Sequence, residues 1–136
     1  MHPAIRAASF QLLYRPLLAR LPRAELESRL ASHPDPVRAR AFLDAPTDNL
    51  DRAASVFKTA IGRIESALKG EWLVGPQFGL ADIAMAPFAE RLTHLRMDGL
   101  WEPFPRARMW SAAVLTRASV LASRAPDQYR FPMGET

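Results

Sequence analysis

The apolar positions Leu50, Ala54, Phe57, Ile61, Ile64 and Leu68 follow one another at steps of 4, 3, 4, 3 and 4. Such spacing lays one apolar stripe along a helix, because residues three and four apart share a face. It predicts a helix of about twenty residues with Asp48 at its N-cap, Asp51 three residues on, and Gly70 as the stop just past its end. Upstream, Phe10, Leu13, Tyr14, Leu17, Leu18 and Leu21 also fall at helical spacings. That first helix is expected to begin at Pro3, whose missing N–H needs no partner at the first helical position. Pro16 should kink it near residues 12–15, since the ring clashes with the carbonyl four residues back. A short helix is expected over 22–31. Asp35-Pro36 reads as a cap followed by a first-turn proline, opening another short helix that ends near Asp44.

A further helix is expected over 80–96, with Ile83, Ala84, Pro87, Phe88, Leu92 and Leu95 facing inward. The next is expected over 105–119, burying Ala107, Trp110 and Val114. No segment alternates with the period of a strand, and no internal repeat or low-complexity tract appears. The fold class is therefore all-α, a helical bundle in a single domain over residues 1–136, with a loosely held tail over 124–136.

The sharpest local signal is Phe78-Gly79-Leu80-Ala81-Asp82-Ile83. Gly79 stands where a helix N-cap would stand, and Asp82 at N3 can accept the cap residue's own backbone N–H, half of a capping box. Phe78 before the cap and Ile83 at N4 are placed as a hydrophobic staple. This segment resembles the start of the core helix in the C-terminal domain of glutathione transferases, which typically reads Phe-Ser-Leu-Ala-Asp-Ile. Gly79 thus replaces a capping Ser or Thr, a change worth only a few tenths of a kcal/mol. The resemblance extends from about Leu50 to Val120. It takes in the turn Gly70-Glu71-Trp72-Leu73-Val74-Gly75-Pro76, then Trp101-Glu102-Pro103-Phe104-Pro105, Trp110 and Arg117-Ala118-Ser119-Val120, where Ala118 stands in place of the usual Pro. It implies an all-helical domain without the thioredoxin-like half that, in this family, binds glutathione and activates its thiol.

Composition narrows the possibilities. A chain of 136 residues, 49% apolar and 24% charged, suits one globular domain. The absence of Cys excludes disulfides, thiolate nucleophiles and Cys-ligated metals. No apolar run is long enough to span a membrane. The net charge of +4 arises from 16 Arg and 2 Lys against 14 acids, but the Arg are scattered and no basic run appears. The pattern reads as a solvated basic surface that can steer an anionic partner, not as a nucleic-acid groove. Arg6, Arg15, Arg20 and Arg23 precede any acid, as in a transit peptide; the helical spacing of the apolar residues between them favours a structural helix. No secretory signal is visible, which makes the cytoplasm the expected location.

Candidate chemistry is sparse. His2, His33 and His94 lie far apart, and Glu90 with His94 reads as a surface pair on one helix face, so no metal site is expected. No residue is assigned a catalytic role. Asp82 is the one carboxylate in an apolar run, and its capping position accounts for it without catalysis. Phe10, Leu13 and Tyr14 are the substrate-binding candidates, because the corresponding helix of the resembled family borders the pocket for the hydrophobic co-substrate. The resemblance implies a transferase-family helical domain that is not competent for glutathione conjugation alone. No cofactor is expected in the chain, glutathione entering only if a thioredoxin-like half completes the site. A homodimer or a thioredoxin-like partner chain is expected, with neither nucleic acid nor membrane. The alternative is a stand-alone interaction or assembly module, since a domain deprived of its companion leaves bare an interdomain face of about 600 to 1,500 Å². An independent enzyme with a new site has no residue constellation behind it.

Overall fold

Pro16 decides the shape of the first helical stretch. A computed structural model describes residues 3–46 and 49–125, and within them every regular element is helical. Helix α1 (Pro3–Ser9) runs into a π-helical turn (Phe10–Tyr14) and continues as α2 (Arg15–Ala19). Pro16 has no N–H to offer the carbonyl of Leu12, and its ring crowds that carbonyl. The chain widens instead, with the Arg15 N–H bonding to the Phe10 carbonyl five residues back. The expected kink is thus a π-turn at residues 10–14.

Helix α3 (Arg23–Ala31) begins one residue after the expected start, with Pro22 as its N-cap in extended backbone. A tight link follows in which the Asp35 N–H donates to His33 Nδ1 at 3.0 Å. Asp35 caps α4 (Pro36–Asp44), its Oδ1 accepting the Arg38 N–H at 3.0 Å. Arg40 on α4 pairs with Glu27 on α3, holding the two short helices together. Gln11, buried on the π-turn, accepts from Arg15 Nη1 at 2.8 Å, and Arg15 Nη1 also donates to the Ala45 carbonyl at 3.0 Å. These elements belong to one compact unit, residues 3–53 among those described, and the remainder, 54–125, forms a second.

Helix α5 (Asn49–Ala67) buries Ala53, Phe57, Ile61 and Ile64, and Leu68 just past its end is buried too. The proposed cap Asp48 lies outside the described residues. Gly70 is not the helix stop: α5 ends at Ala67, and positive φ among the described glycines occurs at Gly75, in the turn before Pro76. Helix α6 (Leu80–His94) buries Asp82, Ala86, Ala89 and Leu92, with Leu95 following at 2% exposed. Ile83, Ala84 and Pro87, expected inside, are exposed. Leu92 and Leu95 are buried as expected and Phe88 is half-buried against Phe57 and Trp101; the helix is apolar on more than one face, and periodicity alone misplaces its first two turns.

The end of α6 is a Schellman motif. The Met97 N–H reaches the Leu92 carbonyl and the Arg96 N–H the Thr93 carbonyl, both at 2.9 Å, and Arg96 sits at φ 55° where glycine is usual. A 3₁₀ turn (Asp98–Trp101) leads to α7 (Pro105–Thr116), which buries Ala107, Trp110, Ser111 and Val114. This helix stops three residues short of the expected end, because Arg117 turns extended (ψ 135°) and opens α8 (Ala118–Ala122). The N-terminus of α7 lacks a local side-chain cap, and Glu65 of α5 serves instead. Its Oε2 accepts the Ala107 N–H at 2.8 Å and its Oε1 the Arg106 Nε–H at 3.1 Å. The Ala107 N–H, helped by Arg106, draws the Glu65 carboxyl below its usual range. An edge-on series of rings, Phe57 to Phe88 at 5.9 Å and Phe88 to Trp101 at 6.2 Å, continues to Trp110 at 6.3 Å and fills this second core. The tail over 126–136 lies outside the described residues.

Candidate functional site

The π-turn carries the three substrate-binding candidates and separates them. Leu13 is 2% exposed and part of the core. Phe10 and Tyr14 instead face a cavity of about 550 Å³ lined entirely by the first unit. Their rings lie 6.5 Å apart and nearly parallel, at 19°. Phe42 of α4 meets Phe10 at 5.4 Å, so an aromatic corner closes one side. Leu26 and Leu30, four apart on α3, and Leu18 of α2 supply aliphatic wall. Sequence reasoning missed Phe42, Leu26 and Leu30. Their signal was available in part: Leu26 with Leu30 and Arg38 with Phe42 each have the i, i+4 spacing of one helix face.

The charged part of the lining is basic. Arg6, Arg29 and Arg38 contribute to it against the single carboxylate of Asp35. Arg29 is neutralised by Glu25 at 2.7 Å. The Arg38 guanidinium stands 5.9 Å from the centroid of the Phe42 ring, at the edge of the aromatic corner. A half-enclosed, mostly apolar hollow with a few polar groups in its lining is the geometry of a small-molecule site. Its residues can hold and orient an aromatic molecule. Its lining contains no nucleophile with an adjacent base.

The cap region of the second unit forms a different kind of cluster. Gly79 is the N-cap of α6 in extended backbone (φ −139°, ψ −171°), and Asp82 Oδ2 accepts its N–H at 2.9 Å. Asp82 Oδ1 accepts two more, from the Leu73 N–H at 3.0 Å and from the Trp110 indole N–H at 2.7 Å. Burial by itself pushes the Asp82 carboxyl up; the donors of Leu73, Trp110 and Gly79 outweigh it and hold the group below the usual aspartate range. A fully buried carboxylate saturated by N–H donors is an anchor, joining the turn, α6 and α7 at one point. Phe78 before the cap packs on Trp72 at 5.2 Å and beneath the Arg117 guanidinium at 4.0 Å, while Ile83 is 52% exposed. Of the other paired candidates, Glu90 meets Arg124 at 3.1 Å and His94 lies 3.4 Å from Arg91. Among the described residues no group of three or more His, Cys, Asp or Glu is arranged to hold a metal. No helix among them is long and apolar enough to cross a membrane.

Comparison with known proteins agrees with this architecture. The family model described as "Glutathione S-transferase, C-terminal domain" matches residues 47–113. Over 91 residues, 67% of this chain, the sequence is 26% identical to the glutathione S-transferase GstB of Escherichia coli strain K12. The same protein of Escherichia coli O6:H1 matches equally. In both cases the matched stretch is 40% of the relative's length, so the chain spans well under half of either protein. No solved structure matches.

Proposed function

We propose, from the match of residues 47–113 to the glutathione S-transferase C-terminal domain family, that this chain supplies the pocket for an apolar co-substrate in a glutathione-dependent transfer. The observation that carries the reading is the cavity of about 550 Å³ whose wall is Phe10, Tyr14, Phe42 and three leucines. Burying an aromatic ligand there gains roughly 25 cal/mol per Å² of apolar surface removed from water. Phe10 and Phe42 would add edge contacts, and Tyr14, 39% exposed, brings an aromatic ring that also carries a hydroxyl. In this reading thiol binding and activation come from a thioredoxin-like half, because the cavity lining offers no nucleophile paired with a base.

Two measurements test it together. Added to reduced glutathione and 1-chloro-2,4-dinitrobenzene, residues 1–136 alone should give no product above the uncatalysed rate. Ligand-observed NMR with a neutral aromatic such as naphthalene-2-acetamide should nonetheless report saturable binding that Phe10→Ala abolishes. Turnover by the chain alone, lost in Tyr14→Phe, would overturn the division of labour.

A second reading, an assembly module, is favoured by one observation. The outward face of α6 carries Leu80, 84% exposed, and Ile83, 52% exposed, with Ala84 and Pro87 exposed on the same side. Spacing of i, i+3, i+4 and i+7 makes these one continuous apolar row, the pattern by which a helix docks on a partner. Light scattering at micromolar concentration distinguishes the readings: a homodimer lost in Leu80→Glu supports assembly through this face, and a monomer of about 15 kDa counts against it.

A further inference from the structure

The lining of the cavity holds more positive charge than its own carboxylate can balance. Three arginines line it, Arg6, Arg29 and Arg38, against one acid, Asp35. Glu25 pairs with Arg29, and Asp35 is engaged by the Arg38 backbone N–H as the cap of α4. Among the described residues, neither Arg6 nor Arg38 forms an ion pair. The two guanidinium groups therefore line an aromatic hollow without a salt-bridge partner among the described residues. Guanidinium is matched in shape to carboxylate, which can take two parallel N–H bonds. Next to a low-dielectric wall such a bond is worth more than on an open surface.

We infer that the cavity takes an aromatic carboxylate, its ring seated against Phe10, Tyr14 and Phe42 and its acid group met by Arg6 and Arg38. The inference rests on the co-substrate reading above and narrows it from any apolar compound to an anionic one. The ring supplies burial and the carboxylate supplies orientation, fixing which end of the molecule points out of the hollow. Asp35 contributes selectivity of the opposite sign: an aromatic amine would meet two cations and gain one carboxylate already bonded to an amide.

A matched pair of probes tests this on the whole chain. Naphthalene-2-acetate and naphthalene-2-acetamide share ring, linker and shape and differ in charge. By calorimetry at low salt the acetate should bind about tenfold more tightly than the amide, and the gap should narrow as salt is raised. In the double variant Arg6→Gln/Arg38→Gln, the acetate should fall to the affinity of the amide while the amide is unchanged. Both positions are exposed on helix surfaces, so the variant should fold, and an unchanged melting curve verifies it. Equal binding of the two probes, or a preference that survives the double variant, overturns the anionic assignment and leaves the apolar pocket standing. Binding of neither probe overturns the pocket itself.

Discussion

Asp82 is the residue whose removal the fold should feel most. Three donors converge on its two oxygens: Leu73 and Trp110 on Oδ1, Gly79 on Oδ2. Asp82→Ala leaves all three without this acceptor. The Leu73 and Gly79 amides are half-buried, so water can take over part of the loss. The Trp110 indole is 1% exposed and has no such recourse. An abandoned buried donor costs about 1–3 kcal/mol, and the lost carboxylate at the α6 N-terminus adds about 0.3–1 kcal/mol. The total should reach about 1.5–4 kcal/mol, or a fall in Tm on the order of 5–15 °C for a domain this size. Asp82→Asn can keep Oδ1 for Leu73 and Trp110 but points an amide at the Gly79 N–H, so it should fall between alanine and the parent. The pH dependence has a fixed sign. The folded carboxyl lies below its unfolded value, so its stabilisation is complete above the unfolded pKa of about 3.9 and is lost as pH falls through the folded value. The gap between the parent and Asp82→Asn should therefore close in acid. Circular-dichroism melts from neutral pH to pH 3 measure both effects. An Asp82→Ala variant that melts within about 2 °C of the parent would refute the anchor.

Three further substitutions have expected directions. Arg96→Gly relieves a side chain held at φ 55° and should stabilise by about 0.5–1 kcal/mol in denaturant titration; destabilisation would mean that Arg96 makes a contact worth more than the strain. Gly79→Ser should stabilise by a few tenths of a kcal/mol, since the backbone is extended there and an added Cβ would meet only the Gln77 carbonyl at 3.9 Å. Glu65→Gln should lower Tm at neutral pH by weakening the cap on α7. Because that carboxyl is also held below its usual range, first by the Ala107 N–H, its stabilising effect is present above the unfolded glutamate pKa and fades as pH falls through the folded one.

Local patterns were readable from the residues, and long-range choices were not. The stripe on α5 and the Asp35-Pro36 start of α4 depend on neighbours within a turn or two, and the structure has both. The pairing of Gly79 with Asp82 spans three residues and is equally local. The indole of Trp110, 28 residues away, completes the Asp82 site and leaves no mark in the spacing. That bond also explains the misjudged face of α6. Counting apolar residues turns Ile83 and Pro87 inward, whereas the core takes Ala86 and Ala89 on the side where Asp82 must meet Trp110. Gly70 misled for a related reason: glycine after an apolar stripe suggests a left-handed cap, yet α5 ends at Ala67, before reaching it. In the cavity, Phe10 and Tyr14 stood out as aromatic residues on the first helix. Phe42 joins them only because the α3–α4 link returns the chain past the π-turn.

Whether residues 3–46 form a pocket for an aromatic co-substrate is tested most directly by amide NMR of the isotope-labelled chain titrated with naphthalene-2-acetamide. The prediction is saturable shifts centred on Phe10, Tyr14, Leu26, Leu30 and Phe42, all suppressed by Phe42→Ala. Shifts centred instead on residues 54–125, or none at millimolar ligand, would contradict it.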